Sequence, residues 1–115
     1  MKSYTDLEQI KKLAEILPIE TADMWVHPYW DDVPNIGNAD LSYNQIPCWS
    51  LAALLDILSK TAHSIDEDGS VDLCDYKNIE WSLCLTNTNV GLFTANNPVD
   101  VCYQMIIKLN KLNLL

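Results

Sequence analysis

The amino-acid sequence predicts an α+β fold, with three helices packed on one face of a small antiparallel sheet, a meander of about three to four strands. Apolar residues recur at helical spacing in three segments, and between the second and the third they alternate as in a strand with one buried face. The 115 residues are the size of one domain, assigned to residues 1–115. With 49% hydrophobic and 20% charged residues, the composition is typical of a chain with a packed core.

The first predicted helix begins at the segment Thr5-Asp6-Leu7-Glu8. In a capping box of this kind, the Thr5 hydroxyl accepts a hydrogen bond from an amide of the first turn while Glu8 reaches back. The apolar face that follows ends before Pro18, because proline cannot continue a helix. This face consists of Leu7, Ile10, Leu13, Ala14 and Leu17.

Residues 21–27 end in strand-forming side chains and are predicted to form an edge strand that stops before Pro28. Residues 28–47 contain three prolines and one glycine and are predicted to be a long loop. Connections of this length are uncommon and often functional. A functional surface is therefore expected in this region.

The helical period returns over residues 47–58, which form the second predicted helix. Residues 62–65 are then predicted to lead as a strand into a hairpin turn at Asp66–Gly69, because Asp-Gly is typical of tight hairpin turns. After this turn, apolar and polar residues alternate over residues 71–73, as in a strand. The buried face of the second helix is predicted to contain Leu51, Leu54, Leu55 and Leu58.

A strand with one buried face is predicted over residues 79–85, and residues 90–94 are expected to pair with it. The last helix is expected to begin with Asn97 as the N-cap and Pro98 at the first helical position. The predicted buried residues are Ile79, Trp81, Leu83 and Leu85 in the strand, and Cys102, Met105, Ile106, Leu109 and Leu112 in the helix.

The charge is strongly negative, with 16 Asp and Glu against 7 Lys and Arg and a net charge of −9. Clusters of Lys and Arg bind nucleic-acid phosphates, and an anionic membrane surface attracts the same clusters. Neither nucleic acid nor a membrane is therefore expected as a partner. The acidity suits a basic protein partner. Alternatively, the chain mimics nucleic acid and blocks a basic binding site, which requires carboxylates arrayed along one face.

No apolar run follows the first lysine, as a secretory signal requires, so a cytoplasmic protein is expected, either a monomer or a weak homodimer. Cysteines of cytoplasmic proteins are generally free thiols. No two of the four form the Cys-x-x-Cys pair of a zinc site. They are Cys48, Cys74, Cys84 and Cys102.

Residues 64–75 place Asp66, Asp68 and Gly69 where a calcium-binding loop has ligands and its glycine. However, Ser64 and Asp75 stand at the first and last ligand positions, where Asp and a bidentate Glu are usual. An acidic turn is the favoured interpretation. No metal and no cofactor is expected.

Cys48 is a candidate nucleophile, because a helix beginning at Pro47 would surround the thiol with free amides that lower its pKa. Cys48-Trp49 also resembles part of the papain-type signature, although Ile46-Pro47 replaces the residues that precede the nucleophile there. His27 is the candidate base. A cysteine-dependent hydrolase is thus an alternative function, and a packed core cysteine is the competing interpretation.

Aromatic and acidic residues are concentrated around the predicted loop. Tyr and Trp are enriched in binding hot spots, although such rings also cover cores. The favoured function is a non-enzymatic protein-interaction or accessory module that uses residues 28–47, with Trp30 as the anchor. The candidate partner-binding residues are Trp25, His27, Tyr29, Trp30, Asp31, Asp32 and Tyr43.

Two segments, Pro47-Cys48-Trp49-Ser50-Leu51 and Asn97-Pro98-Val99-Asp100, resemble elements of small uncharacterised proteins of bacteria and their mobile elements. The resemblance implies a bacterial or phage origin. It implies no activity and assigns no functional residue.

Overall fold

The computed structural model describes residues 2–27, 29, 33–77 and 79–115. Along these residues the chain forms three α-helices and two three-stranded antiparallel sheets, so the predicted α+β class is confirmed. The helices are α1 (Leu7–Ile16), α2 (Leu51–Ile65) and α3 (Pro98–Lys111). The strands are β1 (Met24–Val26), β2 (Asn35–Ile36), β3 (Ile46–Cys48), β4 (Val71–Tyr76), β5 (Glu80–Leu85) and β6 (Phe93–Ala95).

The strands are divided between a sheet of order β2-β1-β3 and a sheet of order β4-β5-β6. The second sheet is the predicted meander. The packing of all three helices on one face of one sheet is not confirmed, since α1 contacts β3 whereas α3 contacts β5 and β6. The sheet β2-β1-β3 was not predicted. It forms because segments far apart in sequence pair with β1, and the local periodicity of a segment does not predict such pairing.

The N-terminus of α1 has a capping box, but its residues differ from those predicted. The Asp6 side chain accepts from the Gln9 N–H at 2.9 Å, and the Asp6 N–H donates to the Gln9 side chain at 3.1 Å. Thr5 is buried instead, and its hydroxyl accepts a hydrogen bond from the Trp49 N–H at 3.1 Å. The cap is therefore displaced by one residue, because Thr5 is used to bind the segment before α2.

The predicted edge strand lies at the centre of the first sheet. Met24 of β1 pairs with Ile36 on one side and with Cys48 on the other. The predicted long loop is also wrong, because β2, a short 3₁₀ turn at Leu41–Tyr43 and the first residues of β3 fall within residues 28–47. Pairing to β1 orders the two strands of this segment.

Helix α2 begins at Leu51, four residues later than predicted, and continues to Ile65 instead of ending at Leu58. Pairing with β1 holds residues 46–48 extended, so the helix begins only after Ser50, whose hydroxyl accepts from the Ala53 N–H at 3.1 Å. Residues 62–65, predicted as a strand, form the last turn of α2. The following Asp-Gly segment connects a helix to a strand and is not a hairpin turn.

The second sheet has the predicted alternation. Leu83 and Leu85 of β5 are buried, while Trp81 is half-buried on the same face. Ile79 is the exception: it precedes β5 and is exposed, because the strand begins only at Glu80. The pairing strand β6 is Phe93–Ala95 and not residues 90–94.

Helix α3 begins as predicted, with the Asn97 side chain accepting from the Asp100 N–H at 2.9 Å and Pro98 in the first turn. Its predicted core residues are buried except Leu112, which is exposed because the helix ends at Lys111. The buried core joins the three helices to β5. Its fully buried members include Leu13, Trp49, Leu54, Leu58, Leu83, Met105, Ile106 and Leu109.

A polar cluster connects the N-terminal segment to α3 through Asp100. The Lys2 ammonium and the Gln9 amide both donate to Asp100 Oδ1 at 2.7 Å, and the Asn97 amide donates to Oδ2 at 2.7 Å. Partial burial alone would raise the pKa of Asp100, but these hydrogen bonds outweigh it and the net shift is downward.

The lowered pKa of Asp100 predicts that part of the stability is lost in acid. A carboxyl whose folded pKa lies below its unfolded value of about 3.9 stabilises the fold above that pH and ceases to do so as the pH falls through the folded pKa. We expect Asp100→Asn to cost about 1 kcal/mol at pH 7, since the group is partly exposed and screened.

Urea unfolding of wild type and variant at several pH values tests this prediction. The difference between them should shrink below about pH 4. The control Asp56→Asn removes an exposed ion pair with Lys60 and should cost no more than about 0.5 kcal/mol at any pH. A pH-independent difference for Asp100→Asn would contradict the prediction.

Candidate functional site

Large apolar side chains are exposed along the segment that connects β1 to β3. Five of them lie within 15 residues of sequence, and each is 65–90% exposed. Large apolar side chains exposed close together are a feature of interaction surfaces. The five residues, termed the 29–43 surface, are Tyr29, Val33, Ile36, Leu41 and Tyr43.

The structure separates the sequence-predicted site residues. Tyr29 and Tyr43 are exposed and belong to the 29–43 surface. Trp25 and His27 are half-buried at β1, and their rings meet edge to face with centroids 6.4 Å apart. The remaining three, Trp30, Asp31 and Asp32, lie outside the described residues.

Sequence reasoning missed Val33, Ile36 and Leu41. A lone isoleucine between Asn35 and Gly37 was the available signal, because it has no apolar neighbours with which to form a periodic face. In the structure Ile36 is in β2, an edge strand, and is 89% exposed.

The turn that presents Leu41 and Tyr43 is held by its own hydrogen bonds. The Asp40 carboxylate accepts from the Ser42 N–H at 3.0 Å and from the Ser42 hydroxyl at 2.6 Å, and these bonds lower the pKa of Asp40. The Gln45 side chain accepts from the Asp40 N–H at 2.8 Å. Leu41 and Tyr43 are thus exposed on a turn whose backbone is ordered locally.

A small cleft of about 130 Å³ adjoins this surface. Its volume is well below the ~300–1,000 Å³ typical of small-molecule sites. The cleft is suited to a single side chain of a partner. Its lining consists of Ala14, Leu17, Ile19, Leu41, Pro47 and Trp49.

Beside the first sheet, Asp23 and Ser50 form a close polar pair. The Ser50 hydroxyl donates to the Asp23 carboxylate, and the Ser50 N–H donates to the same carboxylate at 2.9 Å. The Ser50 hydroxyl also caps α2 by accepting from the Ala53 N–H. These bonds assign the pair a structural role, joining the segment before β1 to the start of α2.

Cys48 does not lie at a helix N-terminus, contrary to the interpretation that made it a candidate nucleophile. It is the last residue of β3 and is fully buried, with its thiol donating to the Thr5 carbonyl at 3.6 Å. Burial raises its pKa. Cys48 pairs with Met24, and His27 lies three residues further along the chain from Met24, about 10 Å at strand spacing. This arrangement does not favour a Cys–His pair.

Cys74 and Cys84 lie on the outer face of the second sheet, on either side of Asp72. The Cys74 thiol donates to Asp72 Oδ1 at 3.3 Å, and the Cys84 thiol contacts Oδ2 at 3.9 Å. The hydrogen bond and charge of Asp72 raise the pKa of Cys74, and burial followed by the same charge raises that of Cys84. All four cysteines are free thiols.

Within residues 2–27, 29, 33–77 and 79–115, no group of three or more His, Cys, Asp or Glu side chains is placed to hold a metal ion. In residues 64–75, which share part of the pattern of a calcium-binding loop, Ser64 is helical and the chain is extended from Val71. This segment therefore does not form the helix-flanked loop of a calcium site. Among the described helices, none combines the length and apolar character needed to cross a membrane.

No protein-family model matches the chain, and no curated protein and no solved structure is significantly similar to it. The resemblance of residues 47–51 and 97–100 to elements of small bacterial proteins stays a prediction. Function is therefore inferred from the geometry of the 29–43 surface.

Proposed function

We propose that the protein is a non-enzymatic interaction module that binds a basic protein partner through the 29–43 surface. The observation that carries the proposal is the exposure of five large apolar side chains on one short segment. Two of the five are tyrosines, a residue type enriched in binding hot spots. The proposal places this interaction in the cytoplasm, where free thiols such as those of this chain persist.

The order of the turn supports the proposal energetically. Because Asp40 and Gln45 already bind the backbone of the turn, a partner need not order it on binding, and less conformational entropy is lost. The net charge of −9 favours a basic partner, since opposite charges steer association and exclude acidic competitors.

The double variant Ile36→Ser/Tyr43→Ser tests the proposal. Both side chains are exposed, so the free energy of unfolding should change by less than about 0.5 kcal/mol per site. Affinity for the partner should fall by about 2 kcal/mol or more if these residues are anchors. The matched control, Ile79→Ser/Leu92→Ser, removes two side chains that are also exposed but lie beside the second sheet, and it should bind like wild type.

The measurement has two stages. Proteins retained from the source organism by wild type but lost with Ile36→Ser/Tyr43→Ser are identified by mass spectrometry. The complex is then reconstituted from purified components, and Kd is measured by calorimetry at two salt concentrations. An equal Kd for the two double variants would contradict the role of the surface, and a Kd that does not rise with salt would contradict a basic partner.

A further inference from the structure

A second concave site lies between the edge strand β6 and helix α3, on the second sheet and apart from the 29–43 surface. Its volume is about 330 Å³, which falls within the range of small-molecule sites. The groove exists because α3 packs against β5 and β6, while no strand of the described part of the chain follows β6 in the sheet. Its lining consists of Phe93, Tyr103, Gln104, Ile107, Lys108 and Lys111.

Two lysines mark one end of the groove, in a chain whose net charge is −9. Among the described residues, the lysines that form ion pairs are Lys2, Lys12 and Lys60, and neither Lys108 nor Lys111 has an acidic partner. Their position in the last turn of α3 suits the helix dipole. It leaves both ammonium groups available to an anion.

Tyr103 lines the opposite end of the groove from Lys111. Burial, followed by the negative charges of Asp6 and Glu8, raises the pKa of Tyr103. Phe93 and Ile107 provide the apolar walls. The groove therefore suits an amphipathic ligand whose anionic group lies at the lysine end and whose apolar part lies against these walls.

We propose that this groove binds an amphipathic carboxylate, an acyl or aryl acid of about eight to ten carbon atoms, with its carboxylate between Lys108 and Lys111 and its apolar part against Phe93 and Ile107. Residues 103 and 111 are eight helical positions apart, about 12 Å at 1.5 Å per residue, which sets the length of the ligand.

A small acid suits the site better than an extended peptide. Strand β6 has three residues, about 10 Å of edge, and the next residues lead into the cap of α3 at Asn97. A peptide added to this edge would form few main-chain hydrogen bonds, which are the usual source of affinity in that mode of binding.

Titration of ¹⁵N-labelled protein with decanoate, below its micelle concentration, tests the proposal. We expect saturable shifts of the amide resonances of residues 93 and 103–111. Decan-1-ol should bind at least tenfold more weakly, and decyltrimethylammonium should not produce these shifts. Equal binding of the cationic probe, or shifts centred elsewhere, would overturn the proposal.

The variant Lys108→Gln/Lys111→Gln isolates the charge. It should bind decanoate at least tenfold more weakly while keeping a dispersed amide spectrum. Lys11→Gln/Lys12→Gln removes two exposed lysines of α1 and should bind like wild type. Unchanged affinity of the Lys108/Lys111 variant would overturn the assignment.

Two other occupants are distinguished in the same experiment. Shifts along β6 with an acetylated (Val-Glu)₃ peptide, but not with decanoate, would assign the groove to a peptide. Shifts of the groove resonances with protein concentration alone would assign it to a second copy of the chain. Either result would overturn the small-acid proposal.

Discussion

Replacing Trp49 by alanine is expected to lower the free energy of unfolding by about 3–5 kcal/mol, a large share of the stability of a domain of this size. Trp49 is fully buried in the core, and its indole N–H donates to the Thr21 hydroxyl at 3.0 Å. The substitution removes the largest of the fully buried side chains that the structure describes and leaves a cavity that rigid neighbours fill only in part. The variant should therefore lose more stability than one that truncates a half-buried aromatic side chain.

Two further variants divide this effect into its parts. Trp49→Phe keeps a six-membered aromatic ring but removes the pyrrole ring together with its hydrogen bond to Thr21, and we expect a loss of about 1–2 kcal/mol, smaller than for alanine. Trp81→Ala is the matched control, because Trp81 is half-buried against the same core and should cost about half as much as Trp49→Ala. Urea unfolding followed by far-ultraviolet circular dichroism measures all three.

The variants Trp49→Ala and Trp81→Ala also test the position of the core. The strand alternation alone predicts Trp81 as the core tryptophan, whereas the structure buries Trp49 completely and Trp81 in part. Equal losses for Trp49→Ala and Trp81→Ala would mean that the two rings contribute equally. That result would contradict the arrangement of α1, β3 and α2 around Trp49.

Elements with local signals could be predicted from the sequence. Helix α3 follows from Asn97, Pro98 and a helical apolar period, all of which act within a few residues of one another. Strand β5 follows from strict alternation over residues 80–85. In both cases the local preference and the tertiary packing agree, so nothing elsewhere in the chain changes the outcome.

Elements set by distant pairing could not be predicted. Pro47 is a good first residue of a helix, yet it is extended because it pairs with Trp25, 22 positions earlier in the sequence. The same pairing moves the start of α2 and removes Cys48 from a helix N-terminus. Periodicity describes a segment's own face and carries no information about which strand it will join.

The candidate site was predicted only in part for a related reason. The tyrosines were recognisable, because Tyr is a common binding residue in any loop. Val33 and Leu41 were not, since an apolar residue is assigned to the core unless the structure shows that it is exposed, and Ile36 was marked only by its lack of apolar neighbours. The apolar character of the 29–43 surface therefore became visible only once the strands around it were placed.

The sequence correctly marks Gly69 as a position with a special backbone requirement, but the predicted reason for that requirement is wrong. Asp-Gly suggested a hairpin turn, for which glycine provides a positive φ. In the structure Gly69 follows α2, and its N–H donates to the Asp66 carbonyl at 2.7 Å. A Cβ atom at this position would lie 2.4 Å from the Ala62 carbonyl oxygen and 2.9 Å from that of Asp66. Glycine is required here by close approach to the backbone of α2.

Gly69→Ala is accordingly expected to cost about 2–4 kcal/mol, because the added methyl group meets backbone atoms that cannot move without unwinding the last turn of α2. Gly91→Ala is the control: Gly91 has φ +106°, and beyond its two chain neighbours no atom lies within 4 Å of an added Cβ, so it should show conformational strain alone, about 1–2 kcal/mol. Urea unfolding of the two variants separates steric overlap from strain. A loss for Gly69→Ala no larger than that for Gly91→Ala would mean that β4 can shift away from α2, and the close approach would then not be required by the fold.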